Sequence, residues 1–442
     1  MSQSLLFILL ISIVIQTGTV TAQILQWRQI PGLPYTTRYD DLYFIDAYTG
    51  WVIDYNKVCK TTDSGVSWVI YSQPGSNRSV GFFDSENGIL GTLDSARPLS
   101  RSTNGGLNWT IVTEFSPVKP NGVCGISIVN ENTAYIAGTY YNNARVYRTI
   151  DKGVSWSLVF NDTSLARTLV DCHFWSADSG IIAGGYNIST VYDGNAVILI
   201  TSNGGNSWER IYKSSRNKEW CWKVSFNKSY SNTFGVASIE RFPANGLSYI
   251  LKTTNQGFNW SEIPFKSYDQ EGIGFVNENT GWVGGYGSGF QNDSNYMTTN
   301  GGLNWSNAGW GRSMNRIRFI NDTLAFASGS YAYKYSRNIV GISYQQTEIP
   351  DQFNLYQNYP NPFNPITLVK YDIKSTGNNI LTKTKLTVYD VTGKLVRELV
   401  NENLPPGKYQ ASFDAGYFSS GMYIYKLEAG DYSVSKKMLL LK

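Results

Sequence analysis

Charge is scarce in this chain of 442 residues: Asp, Glu, Lys and Arg together make up 16%. The charged residues are interspersed, the formal net charge is +4 and no polybasic run occurs, so neither nucleic acid nor an anionic lipid surface is indicated as a partner. Histidine is scarcer still. The single one, His173, rules out histidine-based metal clusters, and its place beside Phe174 suits a structural role. Four cysteines, Cys59, Cys124, Cys172 and Cys221, form no C-x-x-C pair, which speaks against zinc. They fall in different repeats, and bridged or buried free thiols both remain open. Nothing in the sequence asks for a cofactor or a metal.

Long apolar runs are also missing, with one exception. Leu5–Ile15 is apolar apart from Ser12, yet too short to span a bilayer comfortably. Small residues follow at Val20-Thr21-Ala22. Residues 1–22 therefore read as a secretory signal cleaved between Ala22 and Gln23, a short N-terminal anchor being the alternative. The leading MSQS carries no Lys or Arg, which departs from the usual signal pattern.

Glycine, tyrosine, tryptophan and asparagine are plentiful, and they recur in order. The figure [ST]-x-[DN]-x-G-x-[SN]-W occurs six times. Its fixed positions are Asp63, Gly65 and Trp68; Asn104, Gly106 and Trp109; Asp151, Gly153 and Trp156; Asn203, Gly205 and Trp208; Asn255, Gly257 and Trp260; Asn300, Gly302 and Trp305. The Asp or Asn side chain accepts hydrogen bonds from turn amides, the Gly takes a positive φ, and the Trp opens the next strand with a ring to bury. The tryptophans lie 41, 47, 52, 52 and 45 residues apart, the size of one propeller blade.

A second figure, roughly F-x-[DN]-x-x-x-G-x-x-x-G, interleaves with the first and marks a strand-turn-strand unit. It begins at Phe44, Phe82, Phe174 and Phe275, with looser copies at Ile128, Phe226 and Phe319. That is seven copies against six turns. QWRQI, Gln26–Ile30, resembles the strand that follows each turn but has no turn before it, and the last unit lacks such a strand. The expectation is an all-β fold: a seven-bladed β-propeller over residues 26–340, its last blade completed by the strand of Trp27, followed by a small antiparallel β-sandwich. A polar linker is expected over 341–352 and the sandwich over 353–442, where alternating strands are separated by Thr392-Gly393, Pro406-Gly407, Ser420-Gly421 and Gly430-Asp431.

With strands labelled a to d from the axis outward, the a–b and c–d turns share a lower face. The d–a and b–c loops share an upper face, where propellers usually bind ligands. Arg38, Arg78, Arg167, Arg216 and Arg312 precede innermost strands, joined by Lys119 and Lys266. Tyr140, Tyr141, Tyr186, Tyr192, Tyr286, Phe290 and Tyr296 lie in the b–c loops. Guanidinium groups among aromatics could hold carboxylates, sulfates or an acidic peptide, although loop arginines are often merely solvated. A glycosidase would need two carboxylates about 5–9.5 Å apart, for which Asp94, Asp193, Asp269, Glu271 and Asp293 are available. Asp193-Gly194-Asn195 and Asn292–Asn295 carry no full calcium-ligand pattern.

The repeated turn is similar to the Asp-box, or BNR repeat. Together with the F-figure it resembles the propeller family of the photosystem II stability and assembly factor over about residues 26–340. Some members of that family chaperone a membrane protein through a basic patch, so the resemblance implies the fold and a binding or assembly role. Asp-boxes also occur in sialidases and β-glucan-cleaving enzymes. Sialidases have six blades and an early Phe-Arg-Ile-Pro motif, for which Arg241-Phe242-Pro243 stands in the wrong place.

The C-terminal segment carries YPNPFNP, LTVYDVTGKLV, PPGKYQASFD, SGMYIYKLEAG and KKMLLLK in order. These resemble the type A C-terminal sorting domain of the type IX secretion system, with the motif residues Pro360, Asn361, Pro362, Phe363, Gly407, Tyr409, Gly421, Tyr423, Lys436 and Lys437. The resemblance implies export through the periplasm to the outer-membrane surface or the medium, with the outer-membrane secretion machinery as a partner. The expected cargo is a non-catalytic binding module for a surface or extracellular protein or glycan. A secreted glycan-cleaving hydrolase and an assembly chaperone are the alternatives.

Overall fold

The computed structural model describes residues 25–442 except 74, 139–143, 187–192, 242–247, 266–268, 287–294, 338–349, 375–381, 405 and 416–417. The expected signal and its cleavage point at Ala22 and Gln23 lie outside the described residues, as does most of the expected linker. Chain contacts separate Gln26–Ser336 from a second unit that contains Arg337–Lys442.

Seven sheets make up the first unit. The innermost strands are Tyr39–Phe44, Asn77–Phe82, Gly125–Ile128, Thr168–Phe174, Glu219–Phe226, Gln270–Phe275 and Arg316–Asn321. Each leads an antiparallel meander. In the seventh sheet only three strands follow in sequence, and Leu25–Gln29 supplies the fourth beside Ala332–Arg337. Trp27 is thereby buried against Trp310, Trp282 and Tyr335. The ring has no open edge at its seam, the usual remedy for unpaired strand edges. One feature was not anticipated from sequence. Phe115–Ser116, in the long connection after the second blade, pairs in parallel with Trp156–Phe160 and makes the third sheet five-stranded.

The F-figure makes the blade interfaces. A Cβ built on Gly50, Gly88, Gly180, Gly235 or Gly281 would lie 2.2–2.5 Å from the ring of Phe44, Phe82, Phe174, Phe226 or Phe275. The glycine, six residues after the phenylalanine in four of these blades and nine after Phe226, is therefore the bed on which the ring lies. On the other side the ring meets the preceding blade. Trp51 stacks on Phe82 at 3.4 Å, Tyr135 on Phe174 at 3.5 Å, and Phe326 of the last blade on Phe44 of the first at 3.6 Å. These contacts combine large buried area with aromatic stacking.

The six boxes repeat the same two amide hydrogen bonds, and four of them, all but those of Trp260 and Trp305, add a tryptophan Nε1 bond to the box glycine carbonyl. In the first, the Gly65 amide donates to Thr61 Oγ1 at 2.9 Å, Ser67 N donates to Asp63 Oδ1 at 2.9 Å, and Trp68 Nε1 donates to the Gly65 carbonyl at 3.2 Å. The residue before each box glycine is also left-handed: Ser64, Gly105, Lys152, Gly204, Gln256 and Gly301. Its amide donates to a carbonyl of the a–b turn of the same blade, as Gly204 N does to Asp178 O at 2.8 Å. The c–d and a–b turns thus dock on each other and form one face. Of the six box tryptophans only Trp156 is fully buried; the others are half-buried, several edge-on to a phenylalanine of their own blade. All four cysteines are free and buried.

The second unit is a two-sheet sandwich. Asn354–Leu355, Ile366–Ile373 and Gly407–Asp414 form one sheet; Leu395–Leu404, Thr382–Tyr389, Gly421–Ala429 and Tyr432–Leu440 form the other. The NPF segment is fastened to the last strand. Phe363 N donates to Leu439 O and Leu441 N to Phe363 O, at 2.9 and 3.0 Å. Leu439 N donates to Asn361 Oδ1 at 2.9 Å. Phe363, Met438 and Leu440 are all buried in the core shared by the two sheets. Tyr409 stacks on Tyr371, Tyr423 Oη donates to Ser419 O, and the alternating strand leaves Lys437 exposed and Lys436 half-buried. The first and last motifs of this segment are therefore one structural feature.

The turn geometry gives a test. Gly205 sits at φ +91° with its Cβ position 2.8 Å from Val159 Cβ, so Gly205→Ala is expected to cost about 1–3 kcal/mol. Gln256 occupies φ +59° at an equivalent turn, and Gln256→Gly should be neutral or stabilise by up to about 1 kcal/mol. Thermal unfolding of both variants checks this. Equal losses would contradict the account of the turn.

Candidate functional site

The axis is lined by the innermost strands, and the F-figure gives their common numbering. Three residues before its first position stand Asp41, Asp171, Lys223 and Arg316, with Ser79, Gly125 and Gly272 in the remaining blades. A bulge in the a–b pairing at this level recurs in several blades, for instance between Tyr39 and Asp41 and between Leu169 and Asp171. The bulge re-aims consecutive side chains. Arg316 of the seventh blade donates Nη1 and Nη2 to Asp171 of the fourth at 2.7 and 3.0 Å, and Nε to Asp41 of the first at 3.0 Å. Blades seven and four stand opposite in the ring, so this ion pair crosses the axis. Each acid also receives an amide from the next blade: Val80 N for Asp41 and Val224 N for Asp171.

All three side chains are almost completely buried. Against the desolvation of that burial, Arg316 and then Lys223 hold the Asp171 carboxyl below its ordinary range. Desolvation, followed by the Arg316 charge, brings the Lys223 ammonium down to about 8. Breaking such a pair leaves an uncompensated charge in a low dielectric. The constellation was not singled out from the sequence, but a signal was present. Charges at the same position of four of the seven otherwise apolar strands mark a level that faces something other than a core.

Toward the upper face, one residue earlier, Asp40, Arg78, Glu271 and Asn315 carry the polar groups. Arg38 donates Nη1 to both oxygens of Glu271 at 2.9 and 2.8 Å and Nε to Asp40 at 3.0 Å. Arg78 Nη1 donates to Asp40 at 2.5 Å, and Asn315 Nδ2 to Glu271 at 2.7 Å. Arg78 lies inside its innermost strand rather than in the loop before it. The cavity at this level is about 10 Å³, the space of one water. Below the Arg316 ion pair, at the lower mouth, a cavity of about 330 Å³ opens.

The predicted arginines therefore divide. Arg38 and Arg78 converge on Asp40 at the channel mouth, and the Arg38 guanidinium lies 5.7 Å from the Tyr286 ring. Arg312 stands 5.8 Å from the Tyr35 ring, which packs against Tyr331. Tyr35 and Tyr286 are about half exposed, so an arginine–tyrosine surface runs across the seam of the last and first blades. Arg216 is drawn outward to Glu219 and to Glu262 on an outermost strand, with its guanidinium 3.8 Å from the Tyr249 ring. Tyr186 lies under Arg210 and Lys213, also on an outermost strand. Arg167 is exposed, and Lys119 contributes its carbonyl to Arg145. Tyr140, Tyr141, Tyr192, Lys266, Phe290 and Asp293 lie outside the described residues.

Among the carboxylates, Asp94 pairs with Arg97 at 3.0 Å. Glu240, not singled out from sequence, is buried in the second strand of the fifth blade. Desolvation, then the neighbouring Glu271 and Asp269 charges, raise its carboxyl well above the ordinary value. Asp193 accepts from the Gly194 amide, and Asn195 Nδ2 donates to the carbonyls of Ser214 and Arg216. No group of three or more metal-ligating side chains occurs among the described residues.

A raised carboxyl fixes the sign of a pH effect. The unfolded chain releases the Glu240 proton near 4.5 while the folded protein keeps it, so stability is lost as pH climbs from that value toward the folded one. Glu240→Gln should be increasingly stabilised relative to the parent between pH 4 and 8. Melting temperatures across that range check this, and parallel curves would contradict it.

Residues 357–441 match the family described as the secretion system C-terminal sorting domain. Among curated proteins none matches the chain. Two solved structures of YCF48 share the propeller fold. The protein from Cyanidioschyzon merolae is 18% identical, covering 70% of this chain and 99% of its own at a TM-score of 0.52. YCF48 bound to a D1 peptide is 16% identical, covering 71% and 95% at 0.51. PorZ, a surface component of the type IX secretion system of Porphyromonas gingivalis, aligns at 10% identity over 93% of this chain and 60% of its own, with a TM-score of 0.49. The chain is thus a seven-bladed Asp-box propeller, similar in fold to the photosystem II assembly factor YCF48, that ends in a type IX secretion sorting domain and is delivered by that route to the cell surface or the extracellular space.

Proposed function

We propose that the propeller is a non-catalytic binding module, displayed or released by the cell, that holds a segment of a surface or extracellular protein on its upper face. The observation that carries this reading is the state of the mouth carboxylates. Glu271 has both oxygens occupied by Arg38 and a further bond from Asn315, and Asp40 is held by Arg38 and Arg78. A carboxylate so engaged makes a poor nucleophile or base. Beside these carboxylates lies an exposed aromatic surface of Tyr35 and Tyr286, with Tyr331 and Arg312 packed against Tyr35. Arginine and tyrosine dominate protein-binding hot spots because they join large contact area to hydrogen bonding. The peptide held by YCF48 in its solved complex fits the same use of the fold.

A glycan-cleaving hydrolase is the second reading, and Glu240 favours it. A carboxyl whose proton is held well above the ordinary range, close to a second carboxyl group on Glu271, is the kind of pairing an acid–base mechanism requires. The two readings separate in one experiment. The full chain is screened against peptide and glycan arrays, and the same glycans are assayed for cleavage. On the binding reading, the Tyr35→Ala/Arg312→Ala variant loses at least about tenfold in affinity, Glu240→Gln binds as the parent does, and no glycan is cut. Cleavage that disappears in Glu240→Gln would overturn it. Undiminished binding by the double variant would move the site off this surface.

A further inference from the structure

The cavity at the lower mouth lies beyond the Arg316 ion pair from the upper-face surface, and nothing in the proposed function uses it. One residue before the first position of each F-figure, the seven blades contribute Tyr43, Gly81, Ser127, His173, Ser225 and Gly274 together with Arg318. Four of the seven are glycine or serine, which is why the channel widens here to about 330 Å³. A volume of that size falls at the lower end of small-molecule sites.

The wall has one sign of charge. Arg316, Arg318 and Lys228 line it together with the uncharged imidazole of His173, and no Asp or Glu does. Asp171 and Asp41 lie at its floor, the first committed to Arg316 and the second mainly to Arg316, with longer contacts to Arg318. Arg318 has donors to spare. Its Nη2 makes only two 3.4 Å contacts with Asp41, its Nε has no partner, and about a quarter of its side chain is open to solvent. His173 Nε2 is buried and likewise has no partner. The imidazole is held face-on to Phe226 and edge-on to Trp175, and the Arg318 guanidinium lies 5.6 Å from the Tyr43 ring, so both groups are oriented before any ligand arrives. Lys228 stands exposed at the rim.

We propose that this cavity is a binding site for a small organic anion, whose carboxylate, sulfate or phosphate group is taken by Arg318 with His173 and Lys228, while the rest of the ligand lies against Tyr43 and the serine positions. Arg318 supplies the planar fork suited to an oxyanion, and the surrounding low dielectric strengthens the contact. The field at the site agrees with this. Burial, and after it the Lys228 charge, hold His173 at about 3, with Arg318 and Arg316 adding to the effect and Asp171 opposing it. The ring is therefore neutral at pH 7 and adds no second full charge to the site.

His173 is the only histidine of the chain, which makes it its own reporter. The full chain, purified without a histidine tag and labelled with 15N at histidine, is titrated at pH 7 with sulfate, phosphate and succinate, the ionic strength being held constant with chloride. The imidazole signals should shift saturably, with half-saturation below about 10 mM for at least one anion, and the order of the three identifies the preferred headgroup. Arg318→Gln should weaken binding at least about tenfold. Should that variant unfold, Lys228→Gln at the exposed rim keeps the test open and should weaken binding severalfold. No saturable shift with any of the three anions overturns the proposal. So does a shift of equal affinity in the variants, which would mean an adventitious ion only.

Discussion

Arg316 reaches across the axis of the propeller to Asp171 and bends back to Asp41, and much of the structure is arranged around that bond. It joins the seventh blade to its neighbour across the seam, the first, and to the fourth on the opposite side of the ring. It fills the middle of a channel to which three blades contribute only Ser79, Gly125 and Gly272 at this level, and it divides the axis into a nearly closed upper part and an open lower one. The price is desolvation of three charges, which two adjacent-blade amides and the nearby Lys223 help to offset. Because Asp171 is spent on Arg316 and Asp41 is shared between Arg316 and Arg318, the cations below them, Arg318 and Lys228, face a cavity without acidic residues in its wall.

Around this centre, cohesion between blades comes from one apolar device used repeatedly. A phenylalanine lies on a glycine of its own hairpin and against an aromatic ring or aliphatic side chains of the preceding blade. The Phe44–Phe326 stack applies the same device between the first blade and the last, so the seam is sealed by side chains at the axis and by Leu25–Gln29 at the rim. The boxes do something different. They tie the outer hairpin of each blade to its inner hairpin, and so stiffen the lower face on which the cavity opens.

The repeats made the blade count, the closing strand and the two faces legible, because each depends on short-range chemistry that recurs. Gly50 and its equivalents were visible as a pattern before their purpose was. The site was less legible. Arg38 and Arg78 were named for their place in the chain, but their partners Asp40 and Glu271 are determined only when blades one, two and six meet. Arg216 and Tyr186 share the sequence position of the others and yet turn outward, because Glu262 and Arg210 on outermost strands offer them closer partners. Arg316 and Asp171, 145 residues apart, carry no local signature at all; only alignment of the seven copies places them on one level. The Phe115–Ser116 strand was missed for a related reason, since its pairing partner belongs to the next blade.

The central claim is that the cross-axis ion pair is a strong, specific coupling between opposite blades. A double-mutant cycle on Arg316→Met and Asp171→Leu, read by equilibrium denaturation of the full chain, measures it most directly. Each single substitution should cost about 3–5 kcal/mol, and the pair should cost at least about 2 kcal/mol less than the two together. Costs that add to within about 0.5 kcal/mol would contradict the account.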